Sequence, residues 1–467
     1  MIKQIGDLPD RITQANEKPV DDGIYILVIL ARALRGIDNP VIEAAIAHAN
    51  HLKLPIVVYS ELDTTVVHAS DRICYFTLGA FRELAKTLTE QNITCVQSIR
   101  KEGEDSLKSL VAEAAAIYTD EDYTHWDRAK CDRLLNLAQQ TVFTVDAARL
   151  VPTRKLPESL KTTPEFRKAH GKLRDRYLEF RQKARSASSN VTATNKIVES
   201  IPLHNFAHYT DAELSQLVSQ LDIDHQIAIS EQHPPTQAEI TARIDTLKKH
   251  ILKKYKWIRN NPALEYSTSE LSPYLHFGMV SPHQILEAIE KSEIPKSYTW
   301  KFRDEFLTWR EWSHYQAFYD PKLHEYSSLP EKAKQTLEDH AEDDRPELRS
   351  FEDILHGNTS DATWNAAQKE WLNTGWLHNN LRMYWSKQIL RFTKSPQEAW
   401  KTACYLNDRI SLDGRDPATY ASMQWAFGNG KPGYSEKPIY GLVAPKSNRA
   451  IMKREGMKEW IEVRSKK

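Results

Sequence analysis

The run Ile24–Leu30 (IYILVIL) restricts the fold more than any other feature of the chain: seven apolar residues follow one another with no polar break. A strand with one wet face alternates, so a run without alternation reads as a strand buried on both sides, as in a parallel sheet covered by helices. The neighbouring segments agree. Pro40 to His51 is helix-like, Pro55–Tyr59 is a second strand, and Asp71–Glu90 has the spacing of an amphipathic helix. Ile93–Gln97, Ala116–Tyr118 and Thr141–Val145 are further short strands. Strand–helix–strand repetition implies parallel strands joined by right-handed crossovers, hence an α/β domain with a parallel sheet over residues 1–150. The turn after the first strand, Ala31-Arg32-Ala33-Leu34-Arg35-Gly36, lacks the glycines that let a backbone approach a pyrophosphate, so this is not read as a NAD domain.

Composition shifts after Val151. Ser186–Asn190 is small and polar, and Gln232-His233-Pro234-Pro235-Thr236 is a cluster of breakers, so residues 151–235 read as a connector with short helices. From Thr236 onward Leu, Ile and Trp recur at three- and four-residue spacing, which predicts an all-α domain over 236–467. A chain of 467 residues suits such a division. With 63 Lys+Arg against 63 Asp+Glu there is no basic excess, so a nucleic-acid site must be a local basic face on a neutral body. Cys74, Cys95, Cys131 and Cys404 are too far apart for a zinc knuckle or a disulfide framework, which points to no metal site and to a reducing cytoplasm. The start has no signal-peptide pattern, and the apolar stretch Ile24–Leu34 is too short to span a bilayer and is broken by Arg32. Gly428-Asn429-Gly430-Lys431-Pro432-Gly433 fits G-x-G-x-x-G but follows a helix-like run and contains Pro432, so it reads as a surface turn.

Three strings in the helical part carry chemistry. The first is Thr268-Ser269-Glu270-Leu271-Ser272-Pro273-Tyr274-Leu275, which taken alone reads as a hydroxyl-rich helix cap, with a phosphate site as its functional alternative. The second runs from Trp364-Asn365-Ala366-Ala367-Gln368 through Gly375-Trp376-Leu377-His378 to Arg382-Met383-Tyr384-Trp385. The third is Asn407-Asp408-Arg409 with Leu412-Asp413-Gly414-Arg415-Asp416-Pro417; by itself Asn407 fits a helix C-cap. Together with Asp38-Asn39-Pro40, Val145-Asp146-Ala147 and Val151-Pro152, these strings resemble the class II photolyases of the photolyase/cryptochrome family. The resemblance runs from about Ile24 to Val443 and is most specific between Tyr255 and Tyr420.

The resemblance implies an antenna-type, Rossmann-like N-terminal domain and a helical FAD-binding domain. It implies light-driven splitting of cyclobutane pyrimidine dimers in DNA by an electron from excited reduced FAD. Tyr255, Thr268, Ser269, Leu271 and Ser272 would hold the cofactor, with the hydroxyls at its pyrophosphate. Arg382 and Asp413 would form an ion pair over the flavin, with Arg415 and Asp416 nearby and Asn407 at the ring nitrogen that is protonated on reduction. Trp385 and Trp364 would form an electron-transfer pair; Phe392 stands where a further Trp is frequent in the class. Glu305 and Trp309, four apart in a helix expected over Phe302–Phe318, share a face and with Met383 and Trp425 would enclose the flipped-out dimer. Arg259, Arg310, Lys387 and Arg391 are candidates for contacts to the DNA backbone. The stretch after Trp425 lacks the glycine pair and His-Asp of the class, which keeps a second reading open: a blue-light photoreceptor of cryptochrome type without repair activity. A second, antenna chromophore (a deazaflavin, flavin or folate), dimer-containing DNA as partner, a monomeric state and a cytoplasmic location complete the expectations.

Overall fold

The computed structural model describes residues 6–103, 105–121, 123–183, 203–428 and 435–466. Six strands form one sheet: β1 Ile12–Gln14, β2 Tyr25–Ile29, β3 Ile56–Asp63, β4 Thr94–Arg100, β5 Ala114–Asp120 and β6 Val142–Val145. Their order is β1-β6-β5-β2-β3-β4. The apolar run becomes β2 at the sheet centre, parallel to β3 on one side and β5 on the other, with Tyr25 to Val28 buried. β1 was not expected from the sequence; it adds an antiparallel edge against β6. The chain passes from β2 to β3 and β4, then crosses back to β5 and β6, so the topological switch lies between β2 and β5. Open α/β sheets place ligands at that crevice. Here the Asp120 carboxylate accepts from the backbone N–H groups of Ala31, Arg32 and Ala33 at 3.1, 2.8 and 2.6 Å. A side chain thus occupies the donors that a dinucleotide fold offers to pyrophosphate.

Helices α1 (Pro40–Leu52) and α2 (Asp71–Glu90) flank the sheet. Each begins where its sequence supplies a cap: Asn39 accepts from Val41 N, and Ser70 from Ile73 N. The connector is no free tether. Gln97 and His204 exchange backbone hydrogen bonds of 2.9 and 2.7 Å, and α3 (Asp211–Ser219) packs on α2. Ser186–Asn190 lies outside the described residues.

The second half is helical, as its periodicity predicts. The elements that build the site are α4 (Tyr255–Ile258), α5 (Lys296–Asp304), α6 (Arg310–Tyr319), α7 (Ala362–Thr374), α8 (Asn379–Phe392), α9 (Pro396–Ile410) and α10 (Pro417–Phe427). The single helix expected over Phe302–Phe318 is interrupted: Glu305–Trp309 forms a π-helical turn between α5 and α6. Such turns concentrate at functional positions. Several contacts fix the halves together, two of them through backbone groups. Arg72 of α2 donates to Ile410 O at 3.0 Å and also to Leu372 O, satisfying terminal carbonyls of both α9 and α7. At Gly278 (φ 66°) an added Cβ would lie 2.0 Å from Arg32 O, so the two backbones meet only because no side chain intervenes.

Candidate functional site

A buried ion pair stands at the centre. Arg382 Nη2 donates to Asp413 Oδ1 at 2.8 Å, and Ser411 Oγ donates to the same oxygen at 2.6 Å. Burial pushes the Asp413 carboxyl up, but the Arg382 guanidinium and the hydroxyls of Ser272 and Ser411 outweigh it and hold the group below the usual carboxylate range. Asn407 is fully buried on α9, three residues before its end. Its Nδ2 donates to Ala403 O at 2.8 Å, whereas Ser411 occupies the C-cap, so Asn407 does not cap the helix. The Asn407 Oδ1 acceptor and the Arg382 Nε donor are buried without a partner. Unpaired buried polar atoms are costly, and a bound group carrying both donors and acceptors would satisfy them.

The hydroxyl string leads to a cleft. The helix it was expected to cap is short, Ser272–His276, and receives no side-chain cap. Thr268 and Ser269 instead line an open cleft of 620 Å³ with Trp376, Leu377, His378 and Leu381. Ser272 accepts from Trp376 Nε1 at 3.1 Å, and Leu271 is buried in the core. Tyr255 meets Phe302 edge-on at 5.3 Å, and burial raises its phenol above the ordinary value.

Behind the ion pair lie three fully buried indoles. Trp364 and Trp385 are stacked, with centroids 5.5 Å apart and planes 14° apart. The stack is locked by Trp385 Nε1 donating to Gln368 Oε1 at 2.8 Å and Trp364 Nε1 donating to Trp385 O at 3.1 Å. Phe392 meets Trp364 edge-on at 5.4 Å, extending the cluster by contact. Trp371, not singled out in the sequence, meets Trp385 edge-on at 5.1 Å and lies 5.4 Å below the Arg382 guanidinium. It sits one helical turn beyond Gln368 on α7, a spacing that marks it as core and gives no other signal.

The lesion-side residues have mixed placements. Glu305 and Trp309 open and close the π turn, and Trp309 is 38% exposed. Glu305 is already paired, with Arg259 at 3.0 Å and Lys301 at 2.7 Å. Trp425 is 39% exposed, Met383 buried. Several expectations need correction. Arg415 and Asp416 are committed away from the cleft. Asp416 accepts from Arg32 at 3.0 Å, lies 3.2 Å from His276 and caps α10 through Ala418 N. Arg415 binds the Asp408 carbonyl. Asp416 serves the contact with the first domain, through a network with Arg32, Asp127 and His276 that sequence reasoning missed; its one signal was an Arg shortly after the central strand. Arg310 turns inward to Ala148 O at 2.9 Å, and Arg391 pairs with Glu347. Lys387 is buried, donates to Ala426 O at 2.8 Å and stands 5.6 Å from the Trp425 ring centre; burial pushes its ammonium down to about 8. Residues 429–434, which include most of the G-x-G-x-x-G match and of the altered stretch after Trp425, lie outside the described residues.

A second cavity, of 280 Å³, opens beyond the carboxyl ends of β2 and β3 and is lined by Ala31, Leu62, Trp126, Phe277 and Arg415 among others. Among the described residues no His/Cys/Asp/Glu group is arranged to hold a metal, and no helix is long and apolar enough to cross a membrane.

Comparison with known proteins agrees with this architecture. Residues 26–191 match the DNA photolyase family model. The chain is 29% identical over 455 residues to a deoxyribodipyrimidine photo-lyase of Methanothermobacter thermautotrophicus, covering 97% of each. It superposes on an archaeal photolyase from Sulfolobus tokodaii, solved with two FAD molecules, with TM-score 0.63 at 16% identity, covering 94% of this chain and 90% of that one. A Synechocystis cryptochrome gives the same TM-score and identity, over 88% and 84%. The six-stranded, mostly parallel N-terminal sheet and the helical second half thus match the fold of these photolyase and cryptochrome structures.

Proposed function

We propose that the chain is a light-driven lyase of the class II type that splits cyclobutane pyrimidine dimers in DNA. The observation that carries the proposal is the buried run from Asn407 and the Arg382–Asp413 pair, through Trp371, to the stacked Trp385–Trp364. The family binds FAD, and the unpaired Asn407 Oδ1 and Arg382 Nε fit an isoalloxazine edge, which carries both donors and acceptors. When bound and reduced, FAD supplies the photoexcited electron that opens the cyclobutane ring and is returned afterwards.

The chain's own residues supply the rest. Thr268 and Ser269 offer hydroxyls to the phosphates, and Asn407, a neutral amide, can accept at Oδ1 from a protonated ring nitrogen without itself ionising. The Arg382–Asp413 pair keeps that wall neutral and excludes water. Trp385 and Trp364 give an electron a path of touching rings, which serves to recharge the cofactor. Glu305, at the start of the π turn, can accept a hydrogen bond from the pyrimidine edge while Trp309 and Trp425 stack on the extruded bases. The cavity beyond β2 and β3 is the natural place for an antenna chromophore.

The test is direct. Purified protein should be yellow and should restore UV-irradiated oligothymidylate under near-UV or blue light, not in the dark. Flavin without repair would make the chain a photoreceptor; no flavin at all would overturn both readings.

A further inference from the structure

The most basic stretch of the chain carries lysines that the site described above does not use. Between Leu247 and Arg259 it carries Lys248, Lys249, His250, Lys253, Lys254, Lys256 and Arg259. Asp245 pairs with Lys248 and Lys249 at 2.8 and 3.6 Å. Lys253, Lys254 and Lys256 are exposed and form no ion pair among the described residues. Two indoles are interleaved with them. Trp257 on α4 is 65% exposed and Trp300 on α5 is 46% exposed. The Lys256 ammonium reaches both, 5.6 Å from one ring centre and 5.7 Å from the other, and Lys301 stands 5.8 Å from Trp300. Lys301 and Arg259 in turn both pair with Glu305, so the patch is continuous with the π turn that carries Trp309.

We propose that this face is a docking platform for single-stranded DNA, taking the unpaired nucleotides that flank a dimer. It extends the proposed function, on whose lesion site it abuts. The chemistry selects the partner. Exposed indoles beside uncompensated ammonium groups match what a strand with free bases offers: π-faces to stack and phosphates to neutralise. Paired bases present no free faces, so a duplex would meet the lysines alone. An uncharged protein surface would leave three cations without counterions, and an acidic one would offer no flat π-faces to the two indoles. The platform also relieves a geometric problem, because extruding a dimer unstacks its neighbours, and Trp300 and Trp257 provide them with replacement surfaces.

The experiment measures fluorescence anisotropy of labelled oligothymidylate and of a blunt duplex, at several salt concentrations. The full-chain variants are Trp257→Ala/Trp300→Ala, Trp257→Phe/Trp300→Phe and Lys253→Gln/Lys254→Gln/Lys256→Gln. Single-strand affinity should fall about tenfold per ring in the Ala pair, with the Phe pair close to wild type and duplex affinity unchanged in both. The Gln triple should flatten the salt slope by roughly 2, at about 0.7 per phosphate contact on single strands. Splitting of a dimer dinucleotide, which has no flanks, should be equal in all of them. Wild-type single-strand affinity in the Ala pair, or an equal loss on duplex, overturns the platform. A wild-type chain that binds oligothymidylate through these rings yet leaves the dinucleotide intact supports the platform and overturns the repair reading.

Discussion

Replacing Arg382 by Met tests the centre of the site. The guanidinium is buried, its side chain 9% exposed, and it neutralises an Asp413 carboxylate that is 10% exposed. Met keeps most of the aliphatic volume, so the change removes charge more than packing. What remains around Asp413 is hydroxyl: Ser411 at 2.6 Å and Ser272. Breaking a buried pair from one side costs about 3–5 kcal/mol, because the surviving charge is left in a medium that does not solvate it. Against a total stability of about 5–15 kcal/mol that is a large fraction. At about 2–4 °C per kcal/mol for a region of this size, it corresponds to a thermal midpoint lower by roughly 6–20 °C. The pH dependence fixes the cause. In the wild type the Asp413 pKa is depressed, so its stabilising contribution is present above the unfolded value of about 3.9 and is lost as pH falls through the folded one. In the variant the pKa is raised, so the penalty grows as pH rises. The gap between the two proteins should therefore be widest near pH 8 and shrink towards pH 4.5, and Arg382→Met/Asp413→Asn should recover most of it. Unfolding followed by tryptophan fluorescence across that range is the assay. A midpoint within about 2 °C of wild type at pH 8, or a gap independent of pH, would refute a charged buried pair.

Trp385→Phe breaks the stack and leaves Gln368 Oε1 without its indole donor; photoreduction of oxidised flavin should vanish while chemically reduced enzyme still repairs dimers, and equal loss of both would make Trp385 purely structural. Glu305→Ala should weaken dimer binding by roughly ten- to a hundredfold, from one unpaired polar edge, with FAD content unchanged; because it frees Arg259, whereas Lys301 keeps Asp304 at 3.2 Å, undamaged DNA should bind slightly more tightly and with a steeper salt slope. Wild-type dimer affinity and splitting yield in that variant would misplace the lesion pocket. Lys387, lowered from 10.5 to about 8 by burial, binds fewer protons folded than unfolded between those values, so it should add up to about 3 kcal/mol of stability as pH rises across that window; Lys387→Met should make the rise shallower, leaving the part due to Lys446, which burial also lowers to about 8, as read from denaturation midpoints at pH 7.5 and 9.5.

Legibility followed the range of the forces involved. β2 to β6 were readable because each contains apolar or β-branched residues whose burial is decided largely by the strand's own sequence, although β3 and β4 run on into polar residues. β1 was not, since Ile12-Thr13-Gln14 is half polar and becomes a strand only because β6 has a free edge. Glu305 and Trp309 were correctly put on one helical segment, but nothing in the sequence marks the π turn, which depends on how α5 and α6 pack. Family resemblance brought Arg382 and Asp413 together where spacing could not, since 31 residues separate them. It was silent on Trp371, and it grouped Arg415 and Asp416 with the cofactor although the structure spends them on Arg32, His276 and Asp408. Arg32 comes from the other half of the chain, His276 from 140 residues away in the same half and Asp408 from a neighbouring turn, and no local pattern encodes them.

The neutral composition bears on how such a chain would search DNA. Carboxylates and cations cancel overall, and many cancel in place: Arg149 with Asp146, Arg32 with Asp127 and Asp416, Arg382 with Asp413 are all buried pairs. Such pairs contribute nothing to a long-range field. One cluster of exposed ammonium groups, Lys253, Lys254 and Lys256, lies beside the π turn, where Glu305 also pairs with two further cations. Nonspecific attraction scales with the number of phosphates neutralised, and with no net positive charge on the chain as a whole undamaged duplex should be held weakly and released at physiological salt. Discrimination between damaged and intact DNA is the difference between two affinities. Keeping the nonspecific one low therefore raises selectivity without any new contact to the dimer, and charge reversal elsewhere on the surface should erode it even where the lesion pocket is untouched.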